Sequence, residues 1–173
     1  MQDPITSSLQ SLYNDAPEIK LGNRDRLVVF SDLHVGNRRR GDDFLKNAEL
    51  FMHVLQRYYL AGGYTLVLNG DIEELLRFSL SEIEARWPDL YDLFGRFYDA
   101  GRLHKLVGNH DIALPVYREY PFSEILTEGM KLRHKGDVLF LFHGHQASSF
   151  QTRFSLLVGL SLRYLARPLG IKN

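Results

Sequence analysis

Four short segments of the sequence concentrate histidine, aspartate and asparagine, which are residue types that bind divalent metal ions. The candidate ligands are Asp32 and His34, then Asp71, then Asn109 and His110, and finally His143 and His145. Carboxylates, imidazoles and amide oxygens suit Mn, Fe, Zn or Mg ions, and a carboxylate can bridge two of them. The sequence has no cysteine, which excludes thiolate metal ligands, disulfides and a cysteine nucleophile.

Each segment taken alone has a structural alternative. Asp32-Leu33-His34 is compatible with a helix cap followed by a surface histidine, and Gly70-Asp71 with an ordinary turn. The Gly-Asn-His-Asp segment at residues 108–111 is harder to explain in this way. The occurrence of all four in one chain favours a metal site.

The four segments directly follow four apolar runs. Residues 27–30, 64–68, 103–107 and 138–142 are rich in Leu, Val and Phe and predict buried strands. Apolar residues three and four apart predict an amphipathic helix over residues 42–60, so the first two strands should form a parallel crossover. Ligands of open α/β sheets bind at the carboxyl ends of the strands, and we therefore expect the four segments to converge.

Two further patterns complete the predicted fold. Residues 73–100 are expected to be helical with a break near Trp87-Pro88, and Gly101 should end this helix. Residues 130–142 suggest a hairpin about the turn at 135–137. The fold class predicted is α/β, a layered sandwich around a mixed β-sheet.

Length and composition indicate one folded domain. The 173 residues are 45% hydrophobic and 24% charged, which is typical of globular proteins. We divide the chain into a lead-in segment (1–26), a core (27–149) and an apolar and basic segment (150–173) expected to form a helical cap or tail.

Charge and hydropathy limit the classes of binding partner and the cellular location that we expect. Lys and Arg number 21, as do Asp and Glu, so the chain has no overall field that would attract nucleic acid. The N-terminal residues lack a signal-peptide pattern, and no apolar stretch reaches the ~18 residues that a membrane span requires. We expect a cytoplasmic protein, with peripheral membrane contact as an alternative.

The order of the four segments resembles that of the calcineurin-like metallophosphoesterase superfamily. The matching residues are Asp32-Leu33-His34, Gly70-Asp71-Ile72-Glu73-Glu74, Gly108-Asn109-His110-Asp111 and Phe142-His143-Gly144-His145. The resemblance covers residues 27 to about 146. Within the superfamily, the Gly-Asp-x-x-Glu pattern looks most like the UDP-2,3-diacylglucosamine hydrolases.

The resemblance implies a role for each matching residue. Asp32, His34 and a bridging Asp71 would hold one metal ion. Asp71, Asn109 and His143 would hold the second. The catalytic residues implied are His110, which would stabilise or protonate the leaving oxygen, and Glu74, which would orient His110.

The resemblance also implies cofactors, activity and substrates. Two divalent metal ions, manganese foremost and Fe, Zn or Mg as alternatives, would support hydrolysis of a phosphomonoester, phosphodiester or pyrophosphate bond. A phosphorylated small molecule or a lipid-linked nucleotide is the expected substrate, and nucleic acid is disfavoured. The alternative is a metal-poor, non-catalytic binding or scaffold domain of the same fold.

The sequence departs from the family at one motif. The final Gly-His-x-His of the family is absent, so we expect the chain to be incomplete at its C-terminus, and His145 is a candidate additional metal ligand. Arg38, Arg39 and Arg40 follow the first ligand pair and are candidates for phosphate binding, although a solvated charge run explains them equally well. Residues 150–171 are expected either to pack on the sheet or to form a cap that admits an acyl chain.

Overall fold

The computed structural model describes residues 4–147, which form an α/β fold with helices packed around parallel and mixed sheets. The helices are α1 (Pro4–Asp15), α2 (Ala48–Val54, continued as a π-helix over Leu55–Leu60), α3 (Leu80–Arg86) and α4 (Pro88–Asp99). The strands are β1 (Glu18–Lys20), β2 (Leu27–Phe30), β3 (Thr65–Asn69), β4 (Leu103–Leu106), β5 (Leu126–Thr127), β6 (Gly129–His134) and β7 (Asp137–Phe142). Short 3-10 turns occupy Phe44–Lys46, Leu114–Val116, Ser123–Ile125 and His145–Ala147.

The described strands form two sheets. The parallel sheet has the order β2-β3-β4-β5, and every neighbouring pair in it is parallel. The mixed sheet has the order β1-β6-β7, with β1 parallel to β6 and β6 antiparallel to β7. The carboxyl ends of β2, β3 and β4 therefore lie along one edge of the parallel sheet.

Strand β3 shows how the layers are assembled. Leu66 and Leu68 are fully buried in the core that the parallel sheet shares with the helices, whereas Val67 between them packs with Met130 and Leu132 of β6. Successive side chains of a strand point to opposite faces, so β3 contacts helices on one face and the mixed sheet on the other. This double burial explains the continuous apolar run of its sequence.

The predicted strands and hairpin are confirmed in position, with strand ends shifted by about one residue, but the predicted burial is wrong for β7, because Leu139 is 60% exposed on its outer face. The turn of the β6–β7 hairpin is formed by Lys135 and Gly136, which both have positive φ (49° and 98°). Positive φ at both central residues matches the right-handed twist of paired strands.

The predicted helix over 73–100 is only partly correct. Residues 73–79 are a loop, and α3 and α4 are separated at Trp87, as expected from Pro88. Pro88 lacks an N–H and suits the first turn of a helix, so α4 begins there. The Ser79 side chain accepts a hydrogen bond from the Glu82 N–H and caps α3, so helical structure starts only after the loop.

The predicted lead-in segment contains regular structure. Helix α1 packs on the mixed sheet through an edge-to-face contact between Tyr13 and Phe140, and β1 pairs with β6. The predicted cap over 150–173 lies outside the described residues. Among the residues that the structure describes, no helix has the length and apolar character needed to cross a membrane.

Candidate metal centre

The loops after β2, β3, β4 and β7 meet at one edge of the sheets. The β2 and β3 loops are joined by backbone hydrogen bonds from Asp32 N to Gly70 O (3.1 Å) and from His34 N to Asp71 O (3.0 Å). The His34 and His110 rings are in edge-to-face contact with centroids 4.5 Å apart. His143, at the end of β7, joins them from the mixed sheet.

Asp71 lies at the centre of this convergence and is 3% exposed. Its Oδ1 accepts a hydrogen bond from the backbone N–H of His110 (2.8 Å), and its Oδ2 lies 3.2 Å from His143 Nε2 and 4.0 Å from His110 Nε2. Asp71 thus contacts residues from two other loops.

Among the described residues, two sets of three side chains bring ligand atoms within 4.8 Å of one another. One set is His34, Asp71 and His110, and the other is Asp32, Asp71 and His143. Asp71 belongs to both, as a bridging carboxylate would. The sets group His34 with His110 and Asp32 with His143, whereas the family resemblance groups Asp32 with His34.

Hydrogen bonds behind the histidines orient their rings. Glu74 Oε2 accepts from Nδ1 of His34 (3.0 Å) and of His110 (2.9 Å), and the Asn69 carbonyl accepts from Nδ1 of His143 (2.9 Å). With Nδ1 protonated, the Nε2 atom of each ring faces the acidic cluster. Such outer hydrogen bonds fix the tautomer and orientation of histidines that bind metals.

The acidic groups hold protons on the histidines. The hydrogen bond with Asp71 raises the pKa of His143 to about 9, and the hydrogen bonds with Glu74 raise the pKa values of His34 and His110. Burial opposes ionisation of the Glu74 carboxyl, but the hydrogen bonds from His110 and His34 outweigh it and lower its pKa to about 2. The cluster therefore combines ionised carboxylates with readily protonated imidazoles.

The backbone of the candidate ligands is strained. Within residues 4–147, five non-glycine residues have positive φ, and three of them are Asp32 (57°), His34 (49°) and Asp71 (53°). This region is unfavourable for residues with a Cβ, and such strain concentrates at functional sites. The loops thus adopt conformations that local propensity alone does not favour.

Two glycines allow the loops to approach. A Cβ at Gly70 would collide with the His143 ring and with the Gly108 backbone, and a Cβ at Gly108 would collide with the backbone and carboxylate of Asp71. Larger residues at either position would push Asp71 away from the β4 and β7 loops.

The remaining candidates occupy different environments. Asn109 is partly buried in the β4 loop. His145 is 6% exposed, and its ring centroid lies 5.7 Å from that of His143. Burial and the nearby charge of His143 lower its pKa, and its Nδ1 has no hydrogen-bond partner among the described residues. It belongs to neither set of ligand atoms, so its role as a ligand stays a prediction.

The three arginines are not equivalent. The Arg38 guanidinium donates to both carboxylate oxygens of Asp89 (3.0 and 2.9 Å) and lies over the Trp87 ring, 4.3 Å from its centroid. Arg39 and Arg40 are exposed. Phosphate binding by Arg38 would require it to leave Asp89, and phosphate binding by Arg39 and Arg40 stays a prediction.

Sequence reasoning assigned no role to three buried charged residues next to the centre, namely Glu73, Lys105 and Asp111. Lys105, a single cation within an apolar strand, could have indicated this cluster from the sequence, because a lysine is rarely buried unless it is paired.

The chain matches no protein-family model, no curated protein and no solved structure. Its function is therefore inferred from the geometry of the site.

Replacing Gly108 by Ala should weaken Mn²⁺ binding about tenfold or more, because the added Cβ displaces Asp71. Gly95→Ala in α4 is the matched control, since no atom lies within 4 Å of its new Cβ and the substitution should stabilise the helix by about 0.5–1 kcal/mol. Calorimetric titration with Mn²⁺ measures the metal affinity of both variants. Unchanged binding by Gly108→Ala would contradict the assigned position of Asp71.

The metal-free protein should lose stability as pH rises from 6.5 to about 9. The folded state raises the pKa of His143, so its proton contributes stability that is complete below the unfolded value of 6.5 and is lost near 9. Urea unfolding in EDTA across this range measures the effect. His143→Asn should make this profile less steep. An identical pH slope in His143→Asn and the wild type would refute the Asp71–His143 pairing.

Proposed function

We propose that the protein is a hydrolase of phosphate esters or anhydrides that depends on two divalent metal ions, of the calcineurin-like metallophosphoesterase kind. The observation that carries the proposal is the position of Asp71, shared by two sets of candidate ligand atoms. A mixed set of carboxylate, imidazole and amide ligands suits Mn, Fe, Zn or Mg, with manganese the first expectation.

The residues that would hold the ions are Asp32, His34, Asp71, Asn109 and His143. Their chemistry fits this role, because the outer hydrogen bonds leave Nε2 of His34 and His143 facing the carboxylates. Two ions in such a site polarise a phosphoryl group and supply hydroxide at neutral pH. The protein's own contribution is to fix these ligands on strand ends in a strained arrangement.

His110 is suited to proton transfer. Its Nδ1 donates to Glu74, whose carboxylate raises the His110 pKa, so Nε2 can carry a proton near neutral pH. Protonated Nε2 can donate to the leaving oxygen of a phosphate ester, and Glu74 keeps the ring in position. The proximity of His110 to His34 and Asp71 also makes it a competing candidate for a metal ligand.

The substrate class follows from the centre and from charge. The site suits a phosphorylated small molecule, and the balanced net charge disfavours nucleic acid. A lipid-linked nucleotide substrate, peripheral membrane contact and a cytoplasmic location remain proposals that depend on the family resemblance and on residues 150–173.

Asp71→Asn and His110→Ala should separate metal binding from chemistry. Asp71→Asn should lose Mn²⁺ binding and hydrolysis of an aryl phosphate, because both sets of ligand atoms share its carboxylate. His110→Ala should keep Mn²⁺ and lose turnover by about 10²–10⁴-fold, the range for a general acid. Calorimetry and a chromogenic assay measure the two quantities.

His53→Ala is the control, since His53 is exposed on α2, and it should resemble the wild type. Wild-type metal binding and turnover in Asp71→Asn would eliminate the dimetal proposal. Loss of Mn²⁺ in His110→Ala would reassign His110 as a ligand. A wild-type protein that binds none of Mn²⁺, Fe²⁺, Zn²⁺ and Mg²⁺ would instead favour the non-catalytic scaffold alternative.

A further inference from the structure

A buried cation in β4 lies between the loops after β3 and β4, two of the four loops that meet at the candidate metal centre. Lys105 is fully buried, and its Nζ lies 2.8 Å from Glu73 Oε2 and 2.9 Å from Asp111 Oδ2. Glu73 belongs to the β3 loop, two residues after Asp71, and Asp111 directly follows His110 in the β4 loop. One ammonium group thus contacts a carboxylate from each loop.

The two carboxylates have further partners. Asp111 accepts hydrogen bonds from the backbone N–H of Ile72 at Oδ2 (2.9 Å) and from that of Gly108 at Oδ1 (2.6 Å). It therefore connects the β3 loop to the β4 loop. Glu73 Oε1 accepts the hydroxyl groups of Tyr91 (3.2 Å) and Tyr120 (2.8 Å). The cluster therefore fixes both loops to each other and to the helical layer.

Stability alone does not explain a lysine at this position. Removing an ion pair from water costs several kcal/mol per ion, and apolar side chains of similar volume often replace buried ion pairs without loss of stability. The neighbouring Leu103 and Leu106 of β4 are buried apolar residues. A charged cluster that contacts both loops is explained better by the fixed arrangement that it imposes.

We propose that Lys105 is a positioning residue that holds the β3 and β4 loops in one relative arrangement and thereby sets the position of Asp71 against His110. The effect on metal binding rests on the proposed function, whereas the effect on the loops does not. Among the described residues, Lys105 forms ion pairs with Glu73 and Asp111 and none with Asp71, so it would act through these two carboxylates.

The test uses Lys105→Met combined with Glu73→Gln. This pair of changes removes one buried positive and one buried negative charge, so the net charge of the cluster is unchanged, and the new glutamine side chain still offers an oxygen to both tyrosines. Tyr120→Phe is the matched control, because it removes one hydrogen bond from the same Glu73 without touching Lys105. Both variants are compared with the wild type by thermal unfolding, by amide exchange at Ile72 and His110 in EDTA, and by Mn²⁺ titration.

We expect the double variant to remain folded and to exchange the Ile72 and His110 amides about tenfold faster or more. Its Mn²⁺ affinity should fall about 10- to 100-fold. Tyr120→Phe should lower the melting temperature and leave amide exchange and Mn²⁺ affinity unchanged. A folded double variant with wild-type amide exchange, or with faster exchange and wild-type Mn²⁺ affinity, would overturn the proposal.

Two further outcomes are also decisive. If the wild type binds none of Mn²⁺, Fe²⁺, Zn²⁺ and Mg²⁺ but the double variant loosens the loops, Lys105 positions the loops and the dimetal function is wrong. If the double variant does not fold, amide exchange of the wild type provides the test. The Ile72 and Gly108 amides should exchange only through global unfolding, because the buried Asp111 carboxylate accepts a hydrogen bond from each of them. Fast local exchange of these amides would overturn the proposal.

Discussion

The interaction on which the candidate centre depends is the contact of the Asp71 carboxylate with the loops after β4 and β7. This carboxylate accepts a hydrogen bond from the His110 N–H and lies beside His143, and both sets of candidate ligand atoms include it. Gly70 and Gly108 permit this approach because neither carries a Cβ, and Asp71 itself adopts a left-handed backbone conformation. The surrounding fold must compensate for this strain, which costs of order 1–3 kcal/mol per residue. We attribute this compensation to the buried strands and to the cluster around Lys105.

The proposed function requires one site to serve both metal binding and proton transfer, and the distribution of protons is compatible with this. His34 and His110 share Glu74 as the acceptor for Nδ1–H, so one carboxylate orients a candidate ligand and a candidate acid. The paired carboxylates raise the pKa values of these histidines, and a divalent ion must displace protons in order to bind. Under the proposed function, metal binding and protonation would compete at His34, whereas His110 would keep its proton for transfer.

Apolar runs were sufficient to predict the strands that carry the site, although only β3 among them is buried along its length on both faces, and Val29 of β2 and Leu139 of β7 are exposed. The same reasoning missed β1, since Glu18–Lys20 has one inward-facing residue and gains its order from pairing with β6. It wrongly extended a helix through 73–79, because Glu and Leu favour helices, whereas Glu73 and Glu74 are held by tertiary contacts with Lys105 and the histidines. The candidate ligand residues were identified from sequence, but which of them lie close together depends on loop geometry.

Electron paramagnetic resonance of the protein loaded with Mn²⁺ tests the shared position of Asp71 most directly. Two manganese ions held by one carboxylate lie close enough for their spins to couple, at ~3.5–4 Å in two-metal sites. Saturated protein should bind about two equivalents and give a spin-coupled spectrum, and Asp71→Asn should lose the coupling. Binding of a single equivalent with the uncoupled spectrum of an isolated Mn²⁺ ion would contradict the assignment of Asp71 as a bridge between two metals.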